Sequence, residues 1–167
     1  MQGSRSGAMM AVAWGTLLHM GKSGYMASAR LLHSIHQDVV KAVEKTAGVH
    51  HLCESNLAIV PIAADKGSSL DIFTVASELE KKGWNMFTAQ NPPTMSVCIG
   101  ARFCGDLQAA WVKDLQETVA YCLANPGLKT EGDAAVYGAA KALPDNILQD
   151  VLRSYCDIKM TVKHVEA

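Results

Sequence analysis

Residues 8–20, AMMAVAWGTLLHM, have helix-forming composition and carry apolar side chains on nearly every side. An amphipathic helix can rest on one sheet, but a helix apolar all round must be covered by protein on more than one face. The stretch is too short to span a bilayer. It mimics a secretory leader, with Arg5 ahead of the apolar run. However, Trp14-Gly15-Thr16 interrupts that run, His19 and Lys22 follow, and no small-x-small cleavage signal is evident. A buried helix is the better reading.

Gly21 and Gly24 break this helix, and a second runs over about 25–46, with Tyr25, Ala29, Leu32, Ile35 or His36, Val39 and Val43 along one face. Gly48 follows as its C-cap. Residues 57–62, LAIVPI, form a short apolar run that predicts a strand, with Pro61 placing its end at an edge. Ser69 or Asp71 caps a helix bearing Ile72, Val75 or Ala76, and Leu79, which Gly83 ends. Residues 84–88 read as a second strand and 94–99 as a third, the latter alternating polar and apolar as a half-buried antiparallel strand should. Asp106 caps a helix with Leu107, Trp111, Leu115, Val119 and Cys122 on its buried side, and Asn125-Pro126-Gly127 closes it. Residues 129–138 form a loop that packs on something. Pro144 opens a last helix bearing Leu148, Val151 or Leu152, and Tyr155. Three strands with helices mainly on one face make a small α+β domain, and helix 8–20 has more apolar surface than three strands can cover.

With 167 residues, 49% of them apolar and 19% charged, the chain has enough core for one domain. A net charge of -1 supplies no field to gather nucleic acid or an anionic membrane. The five cysteines are scattered and odd in number, without a CxxC. They read as reduced thiols, mostly buried as small hydrophobes, with Cys98 and Cys122 on or beside core positions.

Candidate chemistry is sparse. His33 and His36 stand three apart on a helix, near enough to share a metal, but no carboxylate or thiol at helical spacing completes a site, so a surface pair is expected. His50-His51 falls in a turn before a strand, where neighbours point apart and joint ligation is awkward. No metal site and no catalytic residue is assigned. Gly3-Ser4-Arg5-Ser6-Gly7 is a tight turn with a hydroxyl, free amides and a guanidinium at the positive end of helix 8–20, a place suited to a phosphate. On these residues alone a stand-alone anion-binding or dimerisation module remains an alternative.

The same turn carries a resemblance. GSRSGAMMAVAW followed by GKSGYMASARLLHSIH is similar to the C-terminal portion of the sphingosine-1-phosphate lyase family, where a GSRPG segment precedes a small-residue-rich helix and a GxxGY segment. KKGWNM before a strand, NPP with MSVCI after it, and NPGLKTEGDAAVYGAA continue the match in the family's order over residues 3–140. Ser6 stands where the family has Pro.

The resemblance implies the C-terminal small domain of a pyridoxal-phosphate (PLP) enzyme of fold type I, the aspartate-aminotransferase-like fold. Its sheet is three-stranded and mainly antiparallel, with covering helices and long N-terminal helices. Residues 1–24 would link to a large domain, 25–158 form the small domain, and 159–167 a tail. The family cleaves a phosphorylated sphingoid base into a fatty aldehyde and phosphoethanolamine; a related PLP-dependent amino-acid decarboxylase is the alternative. Its Schiff-base lysine follows a histidine, and none of the eleven lysines here does, so the chain resembles a fragment that is inactive alone. Gly3 and Ser4 correspond to the segment that reaches the cofactor phosphate of the other subunit in a homodimer, Arg5 to a brace of that turn, and Tyr137 to a position near the substrate-phosphate channel. The resemblance places the whole enzyme at the cytosolic face of the endoplasmic reticulum. A fragment of it, with no membrane segment of its own, would be cytosolic and would self-associate through helix 8–20.

Overall fold

The computed structural model describes residues 6–55, 58–132, 134–135 and 144–160. In chain order the elements are α1 (Gly7–Glu44), β1 (Val49–His51), β2 (Ile59–Ala64), α2 (Ile72–Lys81), β3 (Phe87–Ala89), β4 (Thr94–Cys98), α3 (Asp106–Ala124) and α4 (Asp145–Met160).

The four strands form one antiparallel sheet in the order β1-β2-β4-β3. Side chains paired across an antiparallel ladder share a face, so the register decides what is buried. Val60 lies opposite Val97 and Ile62 opposite Met95, and all four are buried. Against them pack Ile35, Val39 and Val43 of α1, Val75, Ala76 and Leu79 of α2, and Trp111, Leu115 and Val119 of α3. On the other face Ile59, opposite Cys98, and Phe87, opposite Ser96, are exposed. The sheet is thus covered by helices on one side, as the alternation in 94–99 predicts.

The fourth strand corrects the three-stranded expectation. Residues 49–51, Val-His-His, show no apolar alternation, and three residues are too few for a periodic signal; pairing to Ala64, Ala63 and Ile62 makes them β1. This takes His50-His51 out of the expected turn. Pro61, read as an edge signal, sits in a central strand. Its carbonyl accepts from Leu52 N at 3.1 Å, and a strand residue's nitrogen points to the same side as its carbonyl. The missing N–H therefore faces the frayed end of β1, not β4. The second strand starts later than expected, at Phe87, because residues 84–86 lead into it from the end of α2.

Asp71 is the cap of α2, its side chain accepting from Phe73 N. Asp106, in contrast, is the first helical residue of α3; Gly105, at φ 58°, holds the capping position. Cys122 alone of the five cysteines is buried. Cys98 is exposed because its register places it on the uncovered sheet face.

The two expected N-terminal helices meet within α1 at a kink at Gly21, whose φ 56° and ψ −177° only glycine adopts readily. N-terminal to Ile35 the helix leaves the core, with Tyr25, Met26 and Leu31 already exposed, and beyond the bend nothing among the described residues covers it. Met9, Met10, Val12, Trp14, Leu17 and Leu18 are 56–70% exposed.

Candidate functional site

The described chain begins at the start of α1. Ser6 caps the helix, its Oγ accepting from Met9 N at 3.4 Å. No acidic residue stands in the first turn. The helix end therefore keeps its positive character, which favours an anion. Gly3, Ser4 and Arg5, the residues singled out in the sequence for that anion, lie outside the described residues, as does Tyr137.

The segment that leads to Tyr137 is pinned to α2. Thr130 Oγ1 hydrogen-bonds Thr74 Oγ1 at 2.9 Å and donates to Asp71 Oδ2 at 3.4 Å. Glu131 N donates to Ser77 Oγ at 3.1 Å, and its carboxylate pairs with Lys81 at 3.0 Å. Ala134 is buried. The expectation that this segment packs on something holds at Thr130, Glu131 and Ala134, the first two against the helix that backs the sheet.

A second cluster went unread in the sequence. A cleft of about 420 Å³ between α1 and the end of β1 is lined by His36, Gln37, Lys41, Glu44, His51 and Glu54, with Ser55 at its side. His36 is buried, not at the surface as the His33–His36 spacing suggested. Its ring stands edge-on to that of His51, with centroids 6.0 Å apart. Ser55 Oγ donates to the Ile59 carbonyl at 3.2 Å, so it accepts from His36 Nε2 at 2.9 Å. That puts the His36 proton on Nε2 and leaves Nδ1 a bare lone pair. His36 Nδ1 and His51 Nε2 are both buried without a partner. Burial, chiefly, holds both rings below the usual histidine pKa; for His36 the neighbouring His51 adds to this, and for His51 the nearby Glu44 partly opposes it. No signal in the sequence pairs two histidines fifteen positions apart.

Other chemistry is absent from the described residues. No group of three or more His, Cys, Asp or Glu side chains there could hold a metal. Burial pushes the Cys122 thiol up to about 11, so it carries almost no thiolate at neutral pH. No helix among the described residues is long and apolar enough to cross a membrane.

No family model matches the chain. Curated relatives do. A sphingosine-1-phosphate lyase of Dictyostelium discoideum is 27% identical over 161 residues, covering 95% of this chain and 29% of its own length. One of Arabidopsis thaliana is 30% identical over 156 residues, covering 93% of this chain and 28% of its own length. The chain thus spans less than a third of these curated relatives. Among solved structures, the sphingosine-1-phosphate lyase of Burkholderia pseudomallei K96243 superposes with a TM-score of 0.71 at 21% identity, over 96% of this chain and 31% of that one. Lactobacillus brevis glutamate decarboxylase gives 0.67 at 15% identity, over 77% and 31%. A C-DES mutant with glycine covalently linked to its PLP cofactor gives 0.52 at 16%, over 60% and 26%. These neighbours are PLP-dependent fold type I enzymes, and the four-stranded sheet with its helices is a small α+β domain of that fold. By sequence over more than nine-tenths of its residues, and by fold over a similar span, the chain belongs to the sphingosine-1-phosphate lyase family as a portion of the larger enzyme.

Proposed function

We propose that the chain is the C-terminal small domain of a PLP-dependent aldehyde-lyase that splits a phosphorylated sphingoid base into a fatty aldehyde and phosphoethanolamine. The observation that carries this is the near-complete coverage of the chain by sphingosine-1-phosphate lyases, together with the shared fold. When bound, pyridoxal phosphate supplies the electron sink for carbon–carbon cleavage. This chain's part is to hold one edge of the site.

The start of α1 fits that part: it is a helix end capped by Ser6, without an acidic first turn, and Gly3, Ser4 and Arg5 precede that cap in sequence. Gly3 lets the backbone approach closely, and the Ser4 hydroxyl with the adjoining amides donates to the cofactor phosphate of the second subunit in a homodimer. Arg5 braces the turn. Tyr137 reaches the phosphate of the substrate, positioned by the segment that Thr74, Ser77 and Lys81 anchor to α2. Since no lysine here follows a histidine, the lysine that holds the cofactor is supplied by other polypeptide. Residues 1–24 join the two domains, and the whole enzyme works at the cytosolic face of the endoplasmic reticulum.

The test is a chimera. This chain replaces the matching portion of the Arabidopsis thaliana enzyme, and products are followed by mass spectrometry. Fatty aldehyde and phosphoethanolamine from a sphingoid base phosphate are expected, with Ser4→Ala weakening cofactor retention. A folded, cofactor-loaded chimera that releases carbon dioxide from an amino acid instead would move the chain to the decarboxylases, and one that does neither would end the proposal.

A further inference from the structure

The seam between α1 and β1 is built around a buried imidazole, His36, and a half-buried one, His51, with no acceptor among the described residues facing His36 Nδ1 or His51 Nε2. His36 is 4% exposed. One of its nitrogens is spent on Ser55, and the other, Nδ1, has no partner; neither has His51 Nε2. A charged imidazolium donates from both nitrogens, so each ring would bury an unmatched N–H and a positive charge 6.0 Å from the other ring. We propose that this histidine pair makes the α1–β1 seam an acid-opened joint, closed at neutral pH and separating locally as the rings take up protons.

The surroundings compensate the charge only in part, through Glu44 at His51. On α1, His33 is engaged with Gln37 at 3.0 Å, Lys41 adds positive charge to the cleft, and Glu44 acts on His51 in the opposite sense to burial. On β1, His50 is paired with Asp65 of the turn after β2 at 3.0 Å. Past β1, Glu54 lines the cleft. The β2 residue opposite His51 is Ile62, which is apolar. Both rings already titrate low, chiefly because they are buried. The open form therefore binds more protons than the closed one, and the seam is lost as pH falls below the ordinary histidine value. Opening lets water, Glu44 and Glu54 reach the rings.

The change stays local because β1 is a three-residue edge strand paired only to β2, whereas β4 is paired on both sides. Short edge strands sit at the low end of local stability.

Hydrogen exchange on the full chain tests this. Between about pH 7.5 and pH 5, after correction for intrinsic rates, amides of Ile35–Val43 and Val49–His51 are expected to exchange roughly tenfold faster, with β3 and β4 unchanged. His36→Gln, which still donates to Ser55, combined with His51→Phe should abolish the difference. A seam equally protected at both pH values, equal loosening of β3 and β4, or a double variant that keeps the pH dependence would each overturn the proposal. Should the variants misfold, ring-carbon NMR titration of the unmodified chain decides: both rings titrating below the ordinary value supports the joint, and either at or above it sinks it.

Discussion

Asp114 shows how much one surface-edge carboxylate can tie together. Trp84 Nε1 and Lys82 Nζ both donate to it at 2.8 Å, linking α3 to the turn after α2. Lys82, then Trp84, hold the Asp114 carboxyl below the usual range. A folded pKa below the unfolded one gives stability that is present at neutral pH and lost as pH falls through the folded value. Asp114→Asn should therefore lower stability in urea titrations by roughly 1–2 kcal/mol at neutral pH and flatten the acid limb. Gly48 is constrained differently. It turns the chain from α1 into β1 at φ 97°, and a Cβ there would stand 3.1 Å from Leu123 Cδ1. Gly48→Ala is expected to cost about 1–2 kcal/mol in thermal or chemical denaturation. The sequence marks Gly48 as a helix C-cap, but α1 ends earlier, at Glu44 with Lys45 as its cap, and nothing in the sequence shows that Leu123, from a distant helix, closes over Gly48.

At the scale of elements, α1 carries the clearest structural consequence of a single residue. Gly21 bends it, and the space a Cβ would need there is open. Alanine fits the space but not the dihedrals, and it favours helix. Gly21→Ala is expected to straighten α1, which distance measurements between spin labels near Val12 and Ser34 would read as a lengthening. α3 is anchored instead by its buried stripe. Leu115 is fully buried beside Trp111 and Val119, so Leu115→Ala should cost roughly 2–5 kcal/mol in urea unfolding. These helices were legible because a stripe repeating every three or four residues is a local signal. β1 was not, since three residues become a strand only when β2 supplies the partner.

For the whole molecule, the decisive fact is the exposed half of α1. Met9, Val12, Trp14 and Leu18 face several directions, so no single sheet or helix could cover them. The chain by itself is expected to self-associate, and Trp14→Glu with Leu18→Glu should shift it toward monomer in sedimentation velocity without loss of helix by circular dichroism.

The sequence by itself determined the core helices, a cap for α2 at Ser69 or Asp71 and its stop at Gly83, the one-sided sheet, and, through four ordered patches, the family. Those features are written in neighbouring residues. The tertiary structure alone decided that the sheet has a fourth strand, that Pro61 sits in its middle, that Cys98 faces outward, and that His36 and His51 share a buried seam. Each of these depends on which residue lies opposite which across the ladder or the helix–sheet interface, and that pairing is set by packing between segments far apart in the chain.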